Sequence, residues 1–153
     1  MKAMKQQKKT KKETLVMTSF SALQRGASIV SSEVHKILGP QNLTVSQFGV
    51  LEALYIYGPM YQRDLAEQIL KTTGNITTVI DNLEKRELVQ RVREVKDRRY
   101  FQVILTPEGD KLIRKIFPLH AKRVQQVMDL LTQDEQEALK ALCTKLQQSI
   151  LEK

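Results

Sequence analysis

Residues 73–106 read TGNITTVIDNLEKRELVQRVREVKDRRYFQVILT, and within this stretch the hydrophobic rhythm changes once. Ile76, Val79, Ile80 and Leu83 recur three or four apart, the spacing of one buried helical stripe, which predicts a helix over about 73–86. After Leu88 the rhythm alternates, with Val89 and Arg91 in one run and Phe101, Val103 and Leu105 in another, as in two strands of a hairpin. Its tip, Glu94 to Arg99, lacks the Asn-Gly of a tight turn, so a longer projecting loop is expected. With the apolar stripe of the helix turned inward, Asn75, Thr77, Thr78, Asp81, Asn82 and Lys85 must face outward.

Upstream, a short helix over about 62–69 buries Leu65, Ala66 and Ile69, and Leu70-Lys71-Thr72 forms the turn to the next helix. Before it, Thr44 and Gln47 make a capping box, with Leu43 and Phe48 at the positions of a hydrophobic staple. That helix runs to about Tyr57, buries Phe48, Leu51, Leu54 and Tyr55, and ends at Gly58-Pro59. Two short helices, a turn, a polar-faced second helix and a hairpin describe a winged helix-turn-helix over 43–106.

The flanks are helical. Over 13–38, Phe20, Leu23, Ala27, Val30, Val34 and Ile37 form one stripe, stopped by Gly39-Pro40, within a segment 13–42. Thr106 and Pro107 start a fifth helix as cap and first position, Pro118 is expected to kink it, and Thr132 to Glu135 starts a sixth. A helix of about 25 residues is roughly 37 Å long, more than so small a unit can cover. The apolar faces of 13–42 and 107–153, including Leu139, Leu142, Leu146 and Ile150, therefore read as dimerisation helices. The fold class expected is mainly α with a small β hairpin: a winged helix-turn-helix plus long N- and C-terminal dimerisation helices.

Net charge is +8, and six lysines without an acid fill residues 1–12, read as a basic, disordered tail. Residues 85–99 hold seven bases against three acids. Positive charge concentrated in one tail and one segment is the footprint of a protein that meets phosphates, although a solvated surface would look the same. With 41% hydrophobic and 27% charged residues there is no membrane-spanning run and no apolar core of an export signal, so a cytoplasmic location and no membrane partner are expected.

The residues that suit DNA fall in two groups. Thr73, Gly74, Asn75, Thr77 and Thr78 open the fourth helix with small polar side chains able to enter a major groove. Lys96, Asp97, Arg98 and Arg99 sit on a thin ribbon suited to a minor groove about 6 Å wide, where Asp97 can orient an arginine fork. A polar solvated helix face and a plain surface ion pair are the corresponding structural readings.

The segment Asp97-Arg-Arg99-Tyr-Phe-Gln-Val103-Ile-Leu105-Thr106 resembles the wing signature of the MarR (multiple antibiotic resistance regulator) family, an Asp-x-Arg followed by spaced Val, Leu and Thr. Residues 74–89 resemble that family's recognition helix and following strand, with Glu87 where most members have glycine. The resemblance runs from about Thr14 to the C-terminus. It implies a triangular homodimer that places two winged lobes on a palindromic double-stranded DNA operator, with Arg99 as the wing arginine and Asp97 as its orienting acid. It also implies a repressor released by a small phenolic or other lipophilic effector, in a pocket that His35, Phe48 and Tyr55 could line, unless these are core residues. The Gly-Asn-Ile-Thr stretch and Ile116-Phe117-Pro118-Leu-His120 resemble a branch common in Gram-positive bacteria, some of whose members respond to quinones or thiol stress.

No nucleophile–base pair, phosphate loop or metal cluster is visible, so no enzyme, cofactor or metal site is expected, and His35 and His120 are too few for zinc. Cys143 lies on the apolar side of the last helix, where an inert buried thiol is expected. The competing function is a winged-helix module that binds another protein and reads no DNA sequence.

Overall fold

Threonine hydroxyls set the helix starts. Thr44, Thr72, Thr106 and Thr132 each accept an N–H three residues on, from Gln47, Asn75, Gly109 and Glu135. At Thr44 and Thr132 the glutamine or glutamate returns the bond, completing both expected capping boxes. The computed structural model describes residues 11–70, 72–94, 97 and 100–152, with Thr73 described by its backbone alone. The order is α1 (Lys11–His35), a 3₁₀ segment (Lys36–Gln41), α2 (Val45–Tyr57), β1 (Met60–Tyr61), α3 (Gln62–Gln68), α4 (Thr73–Lys85), β2 (Val89–Arg93), β3 (Phe101–Leu105), α5 (Pro107–Met128) and α6 (Gln133–Leu151).

Three differences from the sequence reading have physical causes. First, α1 takes in Lys11 and Lys12 but stops at His35 rather than Leu38. The ring of Pro40 conflicts with a helical carbonyl four residues back, at Lys36, so the chain tightens to 3₁₀ there. Second, the sheet has three antiparallel strands in the order β1-β3-β2, and Val103 lies between Met60 and Arg91. A two-residue strand such as β1 is too short to show alternation. Third, Glu87 takes the left-handed conformation expected of glycine, with φ 57°. Its N–H reaches Glu84 O at 2.8 Å and that of Leu88 reaches Leu83 O at 3.0 Å, so α4 closes in a Schellman motif without glycine.

The lobe closes around one core. Phe48 and Leu51 of α2, Leu65 of α3, Ile76, Ile80 and Leu83 of α4, Val103 of β3, and Ile113 and Ile116 of α5 are all buried together. Each such side chain contributes about 1.5–3 kcal/mol by leaving water. The start of α5 is clamped to the end of α4: the Thr106 N–H and hydroxyl donate to the carbonyls of Leu88 and Glu87, and a Cβ on Gly109 would run into Leu88 O. α5 continues as one helix through Pro118.

Outside the lobe, cover is lacking. α1 buries Val34 alone and α6 buries no residue; Phe20 is 54% exposed and Leu142 64%. Cys143, expected to be buried, is exposed in the single chain along with the rest of that helix face. No helix among the described residues is long and apolar enough to cross a membrane.

Candidate nucleic-acid interface

The outer face of α4 follows from its inner one. Because Ile76, Ile80 and Leu83 are buried, Gly74, Asn75, Thr78, Asn82 and Lys85 are exposed. Thr72 caps the helix, so Thr73 is its first residue, although its side chain lies outside the description. The free N–H groups of this first turn and the positive end of the helix dipole favour an anion. Thr77 departs from expectation. It is half-buried, and its hydroxyl accepts a 2.6 Å hydrogen bond from Gln62 Nε2 on α3.

Gln62 belongs to a network centred on Arg91 of β2. The Arg91 guanidinium pairs with Glu84 through Nη1 and with Asp81 through Nη2 at 2.7 Å. Its backbone N–H donates to Glu84 Oε1 at 2.8 Å, and its Nη2 donates to Gln62 Oε1 at 3.3 Å. Arg86, at the end of α4, donates to the carbonyls of Asn42 (2.6 Å) and Gln41 (3.1 Å). Two of the seven bases counted as a phosphate-facing cluster therefore serve the fold. Lysine and arginine counts cannot show this, because Gln41 and Asn42 lie more than forty residues from Arg86.

The wing rises from β2 and β3. Arg93 lies over the Phe101 ring at 5.2 Å. At the base of the loop Glu94 N donates to Tyr100 O (3.0 Å) and Tyr100 N to Asp97 O (3.1 Å). The Tyr61 hydroxyl donates to Glu94 Oε2 at 2.6 Å; that bond pushes the Tyr61 pKa up, which ties β1 to the wing. Asp97 is half-buried, while Lys96, Arg98 and Arg99 lie outside the described residues.

The expected effector residues are separated. His35 and Phe48 line a cleft of about 390 Å³ with Glu52, Ile56, Ile69 and Leu70. Tyr55 sits about a quarter-turn round α2 from the Glu52–Ile56 row and faces α5, with the Phe117 ring at 5.4 Å and Arg114 over it at 5.3 Å. Sequence reasoning set aside His120, yet this residue of α5 packs against two of the cleft's lining residues: its ring stacks on His35 at 5.5 Å and tilts against Phe48 at 4.6 Å. Its Nδ1 lies 3.7 Å from Glu52 Oε1. Burial, helped by nearby His35, holds the His120 pKa below the usual imidazole value. Burial also pushes Glu52 up, against the attraction of His35. Among the described residues no group of histidines, cysteines and acids could hold a metal ion.

Comparison with known proteins places this geometry. The MarR family model matches residues 43–101, from the start of the helix-turn-helix to the first residue of β3. The HTH-type transcriptional regulator MhqR of Bacillus subtilis is 32% identical over 127 residues, covering 83% of this chain and 85% of that protein. The chain belongs to the MarR family. It is a DNA-binding transcription regulator of helix-turn-helix type, and not an enzyme. A second relative, the HTH-type transcriptional regulator YkoM of B. subtilis, is 37% identical over 100 residues, 65% of each chain. Among solved structures, the transcriptional repressor CouR bound to a 23-mer DNA duplex superposes with a TM-score of 0.76 at 27% identity, covering 90% of this chain and 98% of that one.

Proposed function

We propose that this MarR chain is a repressor that binds a palindromic operator as a homodimer and leaves it when a lipophilic effector binds. The observation that carries the DNA reading is the exposed polar face at the start of α4, formed by Gly74, Asn75 and Thr78, beside the strands that bear the basic wing. Asparagine can pair with adenine through two hydrogen bonds, and threonine can lay its methyl against thymine. In this reading residues 43–106 are the DNA-binding domain; Thr73, Gly74, Asn75 and Thr78 meet the major groove, and Thr77, its hydroxyl held by Gln62, braces the helix behind them. Lys96, Arg98 and Arg99 meet the minor groove, and Asp97 orients an arginine. Similarity to CouR, a repressor by name, supports the sign of regulation.

The segments 13–42 and 107–153 then pair with the same segments of a second chain, which would cover Phe20, Leu23, Leu142, Leu146 and Ile150. The effector would enter the cleft beside His35 and Phe48, between the end of α1, α2 and the end of α3, where an apolar wall meets polar groups able to orient a phenol or quinone.

The test is a gel-shift titration on a duplex recovered by selecting bound genomic fragments, at two salt concentrations. Affinity is expected to fall steeply with salt, and Arg99→Ala to weaken binding by about 1–3 kcal/mol. Binding indifferent to both would favour the protein-interaction module instead. Phenols or quinones added to the same gels should release the DNA; no release with any of them overturns the effector part alone.

A further inference from the structure

We infer that Gln62 and Arg91 are positioning residues for DNA reading: through Thr77, Asp81 and Glu84 they fix the rotation of α4 about its own axis, and so which of its exposed side chains face the bases. The inference rests on the proposal that α4 reads DNA.

The hydrogen-bond directions leave little freedom. A guanidinium only donates, so the Gln62 atom that faces Arg91 must be its carbonyl oxygen. The amide nitrogen is thereby turned to α4, where it donates to Thr77 Oγ1 at 2.6 Å. Flipping the amide would place its NH₂ against the guanidinium, two donors face to face. Arg91 cannot turn away to permit this, because Asp81 and Glu84 hold it from one helix and its own backbone N–H is bound to Glu84. Orientation thus passes from β2, the first strand of the wing, through α3 into α4.

The place of these bonds on α4 matters as much as their direction. Thr77, Asp81 and Glu84 are spaced four and three apart, one row along the helix, about 100° round from the apolar row Ile76, Ile80 and Leu83. Apolar packing is non-directional and fixes the depth of the helix in the lobe better than its rotation. Hydrogen bonds to carboxylate and hydroxyl oxygens have preferred angles, so a second row of them resists twisting. Recognition geometry tolerates only about 0.5 Å and 10–20° of error. A slight roll of α4 would carry Asn75 and Thr78 off their base edges while leaving backbone phosphates within reach. The network therefore governs discrimination between sequences more than total affinity for DNA.

The experiment uses the full-length protein, a duplex enriched from a randomised library by the wild type, and a scrambled duplex of equal length. The readout is the ratio of the two dissociation constants. Gln62→Met, which keeps volume and charge, is expected to lower that ratio roughly three- to ten-fold, the weight of one hydrogen bond. The scrambled-duplex affinity, salt slope and melting temperature should stay near wild type. Arg91→Lys, which keeps the charge but cannot span two carboxylates and an amide, should act in the same direction. Combining Gln62→Met with Thr77→Val should cost less than the sum of the two single changes, since both cut one link. If the wild type discriminates and Gln62→Met keeps the full ratio, the inference is overturned and the DNA reading stands. Strict additivity of the two changes would also overturn it. A wild type that binds both duplexes alike overturns the DNA reading and this inference with it.

Discussion

The winged lobe and the long terminal helices obey different rules within one chain. α2 buries five residues, and the lobe around it pairs its inner charges, as Arg91 shows with Asp81 and Glu84. α6 has 19 residues against 13 in α2 and buries none, though it carries Leu139, Leu142, Leu146 and Ile150 at helical spacing. Helix propensity and capping are sound in both regions; the Thr132–Glu135 box is as complete as the Thr44–Gln47 box. What differs is the source of cover. The lobe finds its partners within the chain, whereas the terminal helices carry a pattern that calls for another copy, as in the proposed homodimer.

The largest expected effect breaks that contrast. Leu142→Glu with Leu146→Glu removes two leucines from each chain of the proposed dimer, roughly 6 kcal/mol or more at about 1.5–3 kcal/mol per leucine. Light scattering at micromolar concentration should show the wild type at twice the chain mass and the double variant at one. A wild type of single mass would mean that the exposed face serves something other than self-association.

The same contrast explains what was legible beforehand. The helix starts at Thr44, Thr106 and Thr132 were readable because a cap is a local bond, made within three residues. The inner and outer faces of α4 were readable because the apolar row dictates both. Contacts distant in sequence were not. Nothing near Arg86 announces Gln41 and Asn42, and nothing near Thr77 announces that Gln62 will bind its hydroxyl. Tyr55 and Phe48 lie seven apart on nearly the same side of α2, so spacing could not tell that Phe48 would reach the cleft while Tyr55 packed on Phe117. β1 exists only because its two residues pair with Val103 and Gln102.

A smaller effect sharpens the picture of the lobe. Glu87 holds φ 57° at the close of α4, a conformation that costs a non-glycine residue about 1–2 kcal/mol. Glu87→Gly relieves that cost but loses more chain entropy on folding, about 0.5–1 kcal/mol. The balance favours the variant by roughly 0.5–1 kcal/mol, a rise in melting temperature of about 1–4 °C for a chain of this size. Both Schellman bonds run between backbone groups and survive the change. A variant that melts at or below the wild-type temperature would show that the Glu87 side chain contributes more than its strain costs.

The smallest expected effect lies at the seam between the two regions, where His120 of α5 meets His35 of α1 and Phe48 and Glu52 of α2. Burial lowers the folded-state pKa of His120 from 6.5, so the unfolded chain binds its proton first as the medium turns acid. The contribution of His120 is therefore complete above about pH 6.5 and is lost as pH falls toward its folded value. Glu52 works the other way. Its folded-state pKa is raised from 4.5, so the folded chain takes up that proton first, and stability is gained as pH falls toward 4.5. The two slopes oppose one another, which keeps the net effect small and places the histidine part at the higher pH. His120→Phe keeps a ring against His35 and Phe48 without a titrating group, so its melting temperature should fall less than that of the wild type between pH 7 and pH 5.5. Glu52→Gln should steepen the fall at the acid end. Parallel curves for wild type and His120→Phe would place the acid sensitivity elsewhere and leave the seam a matter of packing alone.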